Sequence, residues 1–377
     1  MRRVCVHFAL TSALVVALAG GSALCAQDSA AAKSTIDPAT YEAAVSKAIE
    51  FLRASQGADG SFSGKAGPGF TAVVATSILR HGRGGDDPLL AKSLQNLAGF
   101  VQADGGIYAP DSRIKTYETS LGLMCFAAAN RDGKYDKIIA GAQQFLKGGQ
   151  YGATDDTSES NVNYGGAGYG GNTRPDLSNT AFLLDALQSA GAKSDDEAVQ
   201  RALVFVSRCQ NLETEHNTTP FAAQINDGGF FYSPAGEGAS PAGKSDNGGL
   251  RSYGSMTYAG LKSMVYAGLK PDDPRVKAAL DWLAKHYTLD ENPGLGQAGL
   301  YYYYNLMANA LQAVDQPTFK DASGAMHDWR QEMTAALLAR QRPNGSWVND
   351  DRRWMEGDPN LSTAFALLAL AHAQPVK

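Results

Sequence analysis

Three stretches of this 377-residue chain carry side chains able to do chemistry. The first is Arg174-Pro-Asp-Leu-Ser-Asn-Thr180. Here Asp176 reads as a general acid or base, with Arg174 as a clamp for a carboxylate or another anion. The same residues suit a helix start, because Pro175 and Ser178 favour first-turn positions and Arg174 can pair with Asp176. The second stretch, Tyr301-Tyr-Tyr-Tyr304, covers every face of a helical turn. Aromatic walls suit a carbocation, a sugar ring or a peptide, and they suit packing between helices equally well. The third is Asp350-Asp-Arg-Arg-Trp354 with Glu356 and Asp358. It reads as a solvated loop of self-paired charges, or as a source of paired carboxylates for glycoside chemistry. His81, His216, His286, His327 and His372 lack HxH or HExxH spacing, so neither a metal nor a cofactor is expected. Cys125 and Cys209 lie in apolar helical stretches outside any CxxC motif and read as buried free thiols.

The elements that position these groups are helices, and they recur in pairs. The pairs are Tyr41–Ser55 with Thr71–His81, Leu89–Val101 with Tyr117–Ala129, and Tyr135–Lys147 with Leu177–Ala190. They continue as Glu197–Cys209 with Tyr253–Ala267, Pro274–Tyr287 with Leu300–Val314, and Trp329–Arg340 with Leu361–Ala373. First helices are amphipathic, with Lys47, Glu50 and Arg53 set among Ala43, Ile49 and Leu52. Second helices are apolar nearly all round, as in Thr363-Ala-Phe-Ala-Leu-Leu-Ala-Leu370, and must be buried on most sides. Strict alternation of wet and buried helices predicts an all-α fold, an (α/α)6 toroid of six hairpins with an inner ring inside an outer one. An open solenoid would need polar capping repeats, and the last hairpin has none.

The longest insertions, residues 148–176, 211–251 and 341–360, each join a first helix to a second, so they emerge at one end of the ring. Second helices begin at that end and point their positive dipole ends at it. The predicted mouth therefore holds Asp176 as the candidate catalytic residue. The candidate ligand-binding residues are Glu118, Arg174, Asn179, Arg251, Tyr253, Tyr258 and Tyr301.

A turn signature follows most first helices. It reads Gln56-Gly-Ala-Asp-Gly60-Ser-Phe62, Gln102-Ala-Asp-Gly105-Gly-Ile-Tyr108 and Gln224-Ile-Asn-Asp-Gly228-Gly-Phe230. Two more copies are Gln297-Ala-Gly299-Leu-Tyr301 and Gln341-Arg-Pro-Asn-Gly345-Ser-Trp347. Glycine supplies a positive φ near the helix end, glutamine bonds exposed backbone groups, and the aromatic covers the junction. Q-x₃-G-x-W resembles the QW repeat of squalene–hopene and oxidosqualene cyclases. That resemblance implies the α/α toroid shared by terpenoid cyclases, protein prenyltransferase β-subunits and thioester domains. It extends over residues 40–373 and implies one barrel where the triterpene cyclases have two. The motifs that carry those families' chemistry are not found: there is no DxDD, neither mature cysteine stands in D-x-C, and no GCGEQ-like stretch occurs.

Residues 1–26 read as a secretory signal peptide: Arg2 and Arg3, an apolar run over Ala13–Ala19, and small residues near Ala26. A lipoprotein cleaved at Cys25 is the other form of export considered. Residues 27–39 then form a flexible linker and 40–377 a single toroid domain, secreted or periplasmic. Removing Arg2 and Arg3 moves the net charge from −5 to −7. Without a basic run there is no footprint for nucleic acid, and no later segment reaches membrane-spanning length. The expected partner is a small-molecule, isoprenoid or glycan ligand in the central cavity. A carbohydrate-active lyase or hydrolase and a non-catalytic scaffold are the alternatives.

Overall fold

The computed structural model describes residues 36–374 apart from residues 85, 171 and 172. The expected signal peptide lies outside the described residues, as does the linker up to residue 35. The linker's last two residues, Pro38 and Ala39, already belong to the first helix.

The helices are α1 (Pro38–Ser55), α2 (Pro68–Arg80), α3 (Pro88–Ala98), α4 (Lys115–Ala129), α5 (Asp136–Gly148) and α6 (Leu177–Ser189). They continue as α7 (Glu197–Arg208), the single-turn α8 (Ala222–Ile225), α9 (Gly254–Tyr266), α10 (Pro274–Lys285), α11 (Leu300–Ala313), α12 (Trp329–Arg340) and α13 (Pro359–Ala373). Four of them start at Asp-Pro, as at Asp273-Pro274, where the aspartate accepts a first-turn N–H and proline presets φ. The only paired strands among the described residues, β1 (Phe319–Lys320) and β2 (Met326–His327), form a small antiparallel hairpin.

The apolar second helices α2, α4, α6, α9, α11 and α13 each pack on the next, and α13 packs on α2. That last contact closes the inner ring, so the fold is the predicted all-α toroid. The amphipathic helices α1, α3, α5, α7, α10 and α12 lie against it from outside. Cys125 and Cys209 are buried free thiols within the packed layers.

One junction, repeated, holds successive hairpins together. Gln210 Nε2 donates to Gly228 O of its own turn and to Arg275 O in the first turn of α10, both at 2.9 Å. Gln56 bonds Gly60 and Leu89, Gln150 bonds Gly165 and Ala198, and Gln341 bonds Gly345 and Ala44 in the same way. Each of these glycines has φ near +80 to +90° and lies against the backbone of the next outer helix. Two residues further on, the N–H of Phe62, Ala167, Phe230 or Trp347 donates to a threonine hydroxyl on the inner helix: Thr71, Thr180, Thr257 or Thr363. Gln341 reaches α1, so the device that joins neighbours also closes the ring.

Two of the expected copies are corrected. Gln224 lies in α8, and Gln297 donates to Asp290 O; neither clamps a neighbouring helix. The working glutamines, Gln150 and Gln210, are separated from their glycines by insertions, so a contiguous reading chooses the wrong partner. Gln102 bonds only the nearby carbonyls of Phe100 and Tyr108. The fifth junction uses other chemistry: Tyr287 Oη donates to Glu332 at 2.9 Å, and His327 bridges Glu332 and Asp321 while stacking on Tyr287.

Gly228 and Gly243 share the same φ, +84 and +85°, but a Cβ at 228 would sit 2.5 Å from Ala278 O whereas at 243 it meets nothing. Gly243→Ala should therefore cost about 1–2 kcal/mol for the left-handed backbone alone. Gly228→Ala should cost roughly 1–3 kcal/mol more, through overlap with α10. Urea denaturation measures both; equal losses would show that the close approach contributes nothing.

Candidate functional site

The inner ring encloses a cavity of about 450 Å³ at the end where its helices begin. All six inner helices contribute to its wall through their first two turns: Phe70 of α2, Tyr117 of α4, Phe182 of α6, Met256 of α9, Tyr302 of α11 and Phe365 of α13. Tyr117 meets Phe182 edge-on at 5.0 Å, Phe182 stacks on Tyr302 at 6.0 Å, and Tyr302 leans on Phe365 at 5.7 Å. The result is a box of aromatic faces, with the Tyr302 hydroxyl held by Ser178 at 3.0 Å. Tyr169, Tyr232 and residues 353–356 roof it from the loops.

Three carboxyl groups stand at this end, each taken out of water. Asp176 is the N-cap of α6, accepting from the Asn179 N–H and from Asn179 Nδ2, both at 2.8 Å. Burial raises its pKa to about 6 against those bonds and the charge of nearby Arg174. Tyr232 lines the cavity and its hydroxyl lies close enough to Asp176 to favour the carboxylate, which places the buried acid beside the interior. Glu356 lies in the cavity wall and accepts the N–H groups of Tyr301 and Tyr302 at 3.2 and 2.7 Å, capping α11, and Asn349 Nδ2 at 2.7 Å. Glu118 accepts the Ala109 N–H and approaches the backbone before α2 at Gly67. Burial raises the pKa of both glutamates.

The loop that delivers Glu356 is strained. Trp354 and Met355 both have positive φ, 53 and 67°, which costs a non-glycine residue on the order of 1–3 kcal/mol. Their side chains are exposed at the cavity rim, and Trp354 covers Gly299 at the start of α11.

Of the residues expected at the mouth, Tyr253 lines the cavity. Asp176, Asn179 and Glu118 are buried at its edge. Tyr258 and Tyr301 are turned into the packing between helices, against Tyr303 and Tyr304 respectively. It is Tyr302 that faces inward, because helical rotation gives each member of the tetrad a different neighbour. Arg174 and Arg251 are exposed, and Arg251 Nε donates to Lys244 O. No ion pair joins Arg174 to Asp176; the N-cap reading of this segment is the one the local geometry carries. Sequence reasoning passed over Phe182, Phe365 and Tyr117, whose apolar helices look the same whether they face a cavity or a core. It also read Glu356 as part of a solvated loop, with no signal that the loop folds under α11.

A scan against protein-family models and a search of curated proteins match nothing in the chain. Solved structures do. The type II terpene cyclase MstE from Scytonema superposes with a TM-score of 0.55 at 16% identity, over 88% of this chain and 98% of that one. A variant of that enzyme in complex with its substrate, geranylgeranyl dihydroxybenzoate, gives 0.51 at 14% identity over 89% and 97%. A protein from Actinoplanes gives 0.51 at 16% over 88% and 99%. The chain has a terpenoid-cyclase-like α/α-toroid fold.

Because Asp176 holds its proton more tightly when folded than when unfolded, it favours the folded state at low pH. That contribution is lost as pH rises from about 4 to its folded value of about 6. Asp176→Asn keeps a good N-cap and removes the buried charge, and the unpartnered Asn179 Oδ1 can turn to meet the new amide. The variant should be more stable than the parent at pH 7.5 by on the order of 2 kcal/mol and equal to it at pH 4. Thermal melts across that range check this; a parallel offset at every pH would contradict it.

Proposed function

We propose that this is an exported toroid protein that takes an apolar, isoprenoid-like small molecule into the aromatic cavity. The observation that carries this reading is the box formed by Tyr117, Phe182, Tyr302 and Phe365. Such a wall removes apolar surface from water at roughly 25 cal/mol per Å² and offers π faces to any developing positive charge. Charged and amide groups are few along it, which favours an apolar ligand over a glycan. The fold's likeness to a cyclase captured with a geranylgeranyl substrate supports the same ligand class.

In this reading Asp176, partly protonated near neutrality, is the general acid and Tyr232 passes its proton to the cavity. A carboxyl whose pKa is raised is available but weak as an acid. It suits an oxygen-bearing group on the ligand better than a bare alkene, consistent with a chain that lacks a DxDD motif. Export rests on residues 1–26, and fractionation should recover a mature chain without them.

Equilibrium binding of squalene, geranylgeranyl diphosphate and an oligosaccharide panel tests the ligand class. At least one isoprenoid should bind, and Ser178→Trp, which fills the cavity, should weaken it about tenfold or more with helicity unchanged. Binding of oligosaccharides alone would sink the proposal. Where turnover is found, Asp176→Asn should lower kcat about 100-fold.

A further inference from the structure

A second cavity of about 190 Å³ lies at the opposite end of the same ring, where the inner helices finish. Val73, Phe182 and Phe365 line both cavities and form the partition between them. Below that partition the wall changes character. It carries Arg80 from α2, Asp185 from α6, Tyr266 from α9, Asn305, Asn309 and Gln312 from α11, and His372 from α13.

The hydrogen bonds among these groups leave donors facing the space. Tyr266 Oη donates to Asn309 Oδ1 at 2.9 Å, which occupies that amide's oxygen and leaves its NH₂. His372 Nδ1 meets Gln312 Oε1 at 2.5 Å, with the same effect on Gln312. Burial, with help from Arg80 and Lys262, pushes the His372 pKa down to about 3, so its ring is neutral. The Asn305 amide and the Arg80 guanidinium have no hydrogen-bond or ion-pair partner among the described residues. The fully buried Lys262 ammonium is neutralised by Asp185 Oδ2 at 2.5 Å. Arg80, exposed to solvent and near enough to Asp185 to act on its charge, is then a second cation against that one carboxylate, beside the side-chain amides of Gln188, Asn305, Asn309 and Gln312. Among the carboxylate oxygens here, Asp185 Oδ1 is buried and receives no hydrogen bond.

We infer that this lower cavity binds a small oxyanion that still carries a hydroxyl proton, of which dihydrogen phosphate is the simplest example. Its oxygens accept from Arg80 and the amides of Asn305, Asn309 and Gln312, and its hydroxyl donates to Asp185 Oδ1. A fully ionised anion fits less well on two counts. It would face the Asp185 carboxylate with no proton to share, and the negative ends of the inner helices converge at this end of the ring. The volume equals that of roughly six waters at about 30 Å³ each, enough for a tetrahedral anion and part of its hydration shell.

Phosphate and sulfate are both tetrahedral, but near neutral pH only phosphate retains a proton. Calorimetric titration of the full chain with each should show phosphate binding, and sulfate weaker by about tenfold or more. Arg80→Gln, at an exposed position that should leave the fold intact, should raise the phosphate Kd about tenfold. Asp185→Asn should abolish the preference for phosphate over sulfate. No phosphate heat up to about 10 mM, equal affinity for the two anions, or an unchanged Kd in Arg80→Gln would each overturn the inference. Should Asp185→Asn fail to fold, the anion comparison and the Arg80 variant still decide it.

Discussion

The contact on which the toroid most depends, made at four of its six junctions, is a glutamine amide that bonds the carbonyl of its own turn and a carbonyl of the next outer helix. The glycine it reaches has a positive φ and touches that helix backbone directly, so no side chain separates the two hairpins. A threonine on the inner helix then accepts the N–H two residues on. Outer helix, turn and inner helix are thus tied in one short chain of bonds. A ring needs every junction to turn by the same angle, and a backbone-to-backbone contact fixes that angle more tightly than side-chain packing would. At Gln341 and Gly345 the junction meets α1, and closure needs no special element.

A closed ring of six parallel helices has two ends, and the interior inherits the difference. Aromatic residues fill the first two turns and meet across the axis, while the later turns carry amides and ionisable groups. The partition at Val73, Phe182 and Phe365 separates the two spaces. Long insertions join outer to inner helices at one end only, so the aromatic cavity is roofed by loops. The strained turn at Trp354 and Met355 belongs to that roof, and it is held because Glu356 beyond it caps α11.

The ring itself was legible in the sequence because its cause is periodic. Buried helices are apolar on every face, exposed ones on a single face, and their alternation leaves few other arrangements. The junction was legible only where it is contiguous, as at Gln341–Trp347. Where an insertion separates Gln210 from Gly228, nothing local marks the pair, and Gln224 stands nearer as a decoy. The site was harder for the same reason. Phe182 and Phe365 serve a cavity wall, yet an apolar helix carries no sign of whether it faces a void or a neighbour. Tyr302 could not be told from Tyr301, since one residue of helical rotation decides between cavity and core. Asp176 was recognisable as a cap and as an acid; its link to the interior through Tyr232 depends on a loop fold that composition does not encode.

The distribution of charge along the axis follows from the helices. Six macrodipoles aligned in parallel repel one another, each with about half a positive charge at the mouth and half a negative charge at the far end. Groups of opposite sign at each end relieve that repulsion. Asp176, Glu356 and Asp358 sit at the beginnings of α6, α11 and α13, and Arg80 and Lys262 lie toward the ends of α2 and α9. An acid held at the mouth and a base at the opposite end are therefore what a parallel ring requires for stability, before any ligand is considered. Ligand chemistry is built on that arrangement: burial makes Asp176 and Glu356 at the mouth hold a proton more tightly, while at the other end Arg80 and Lys262 together face the one carboxylate of Asp185.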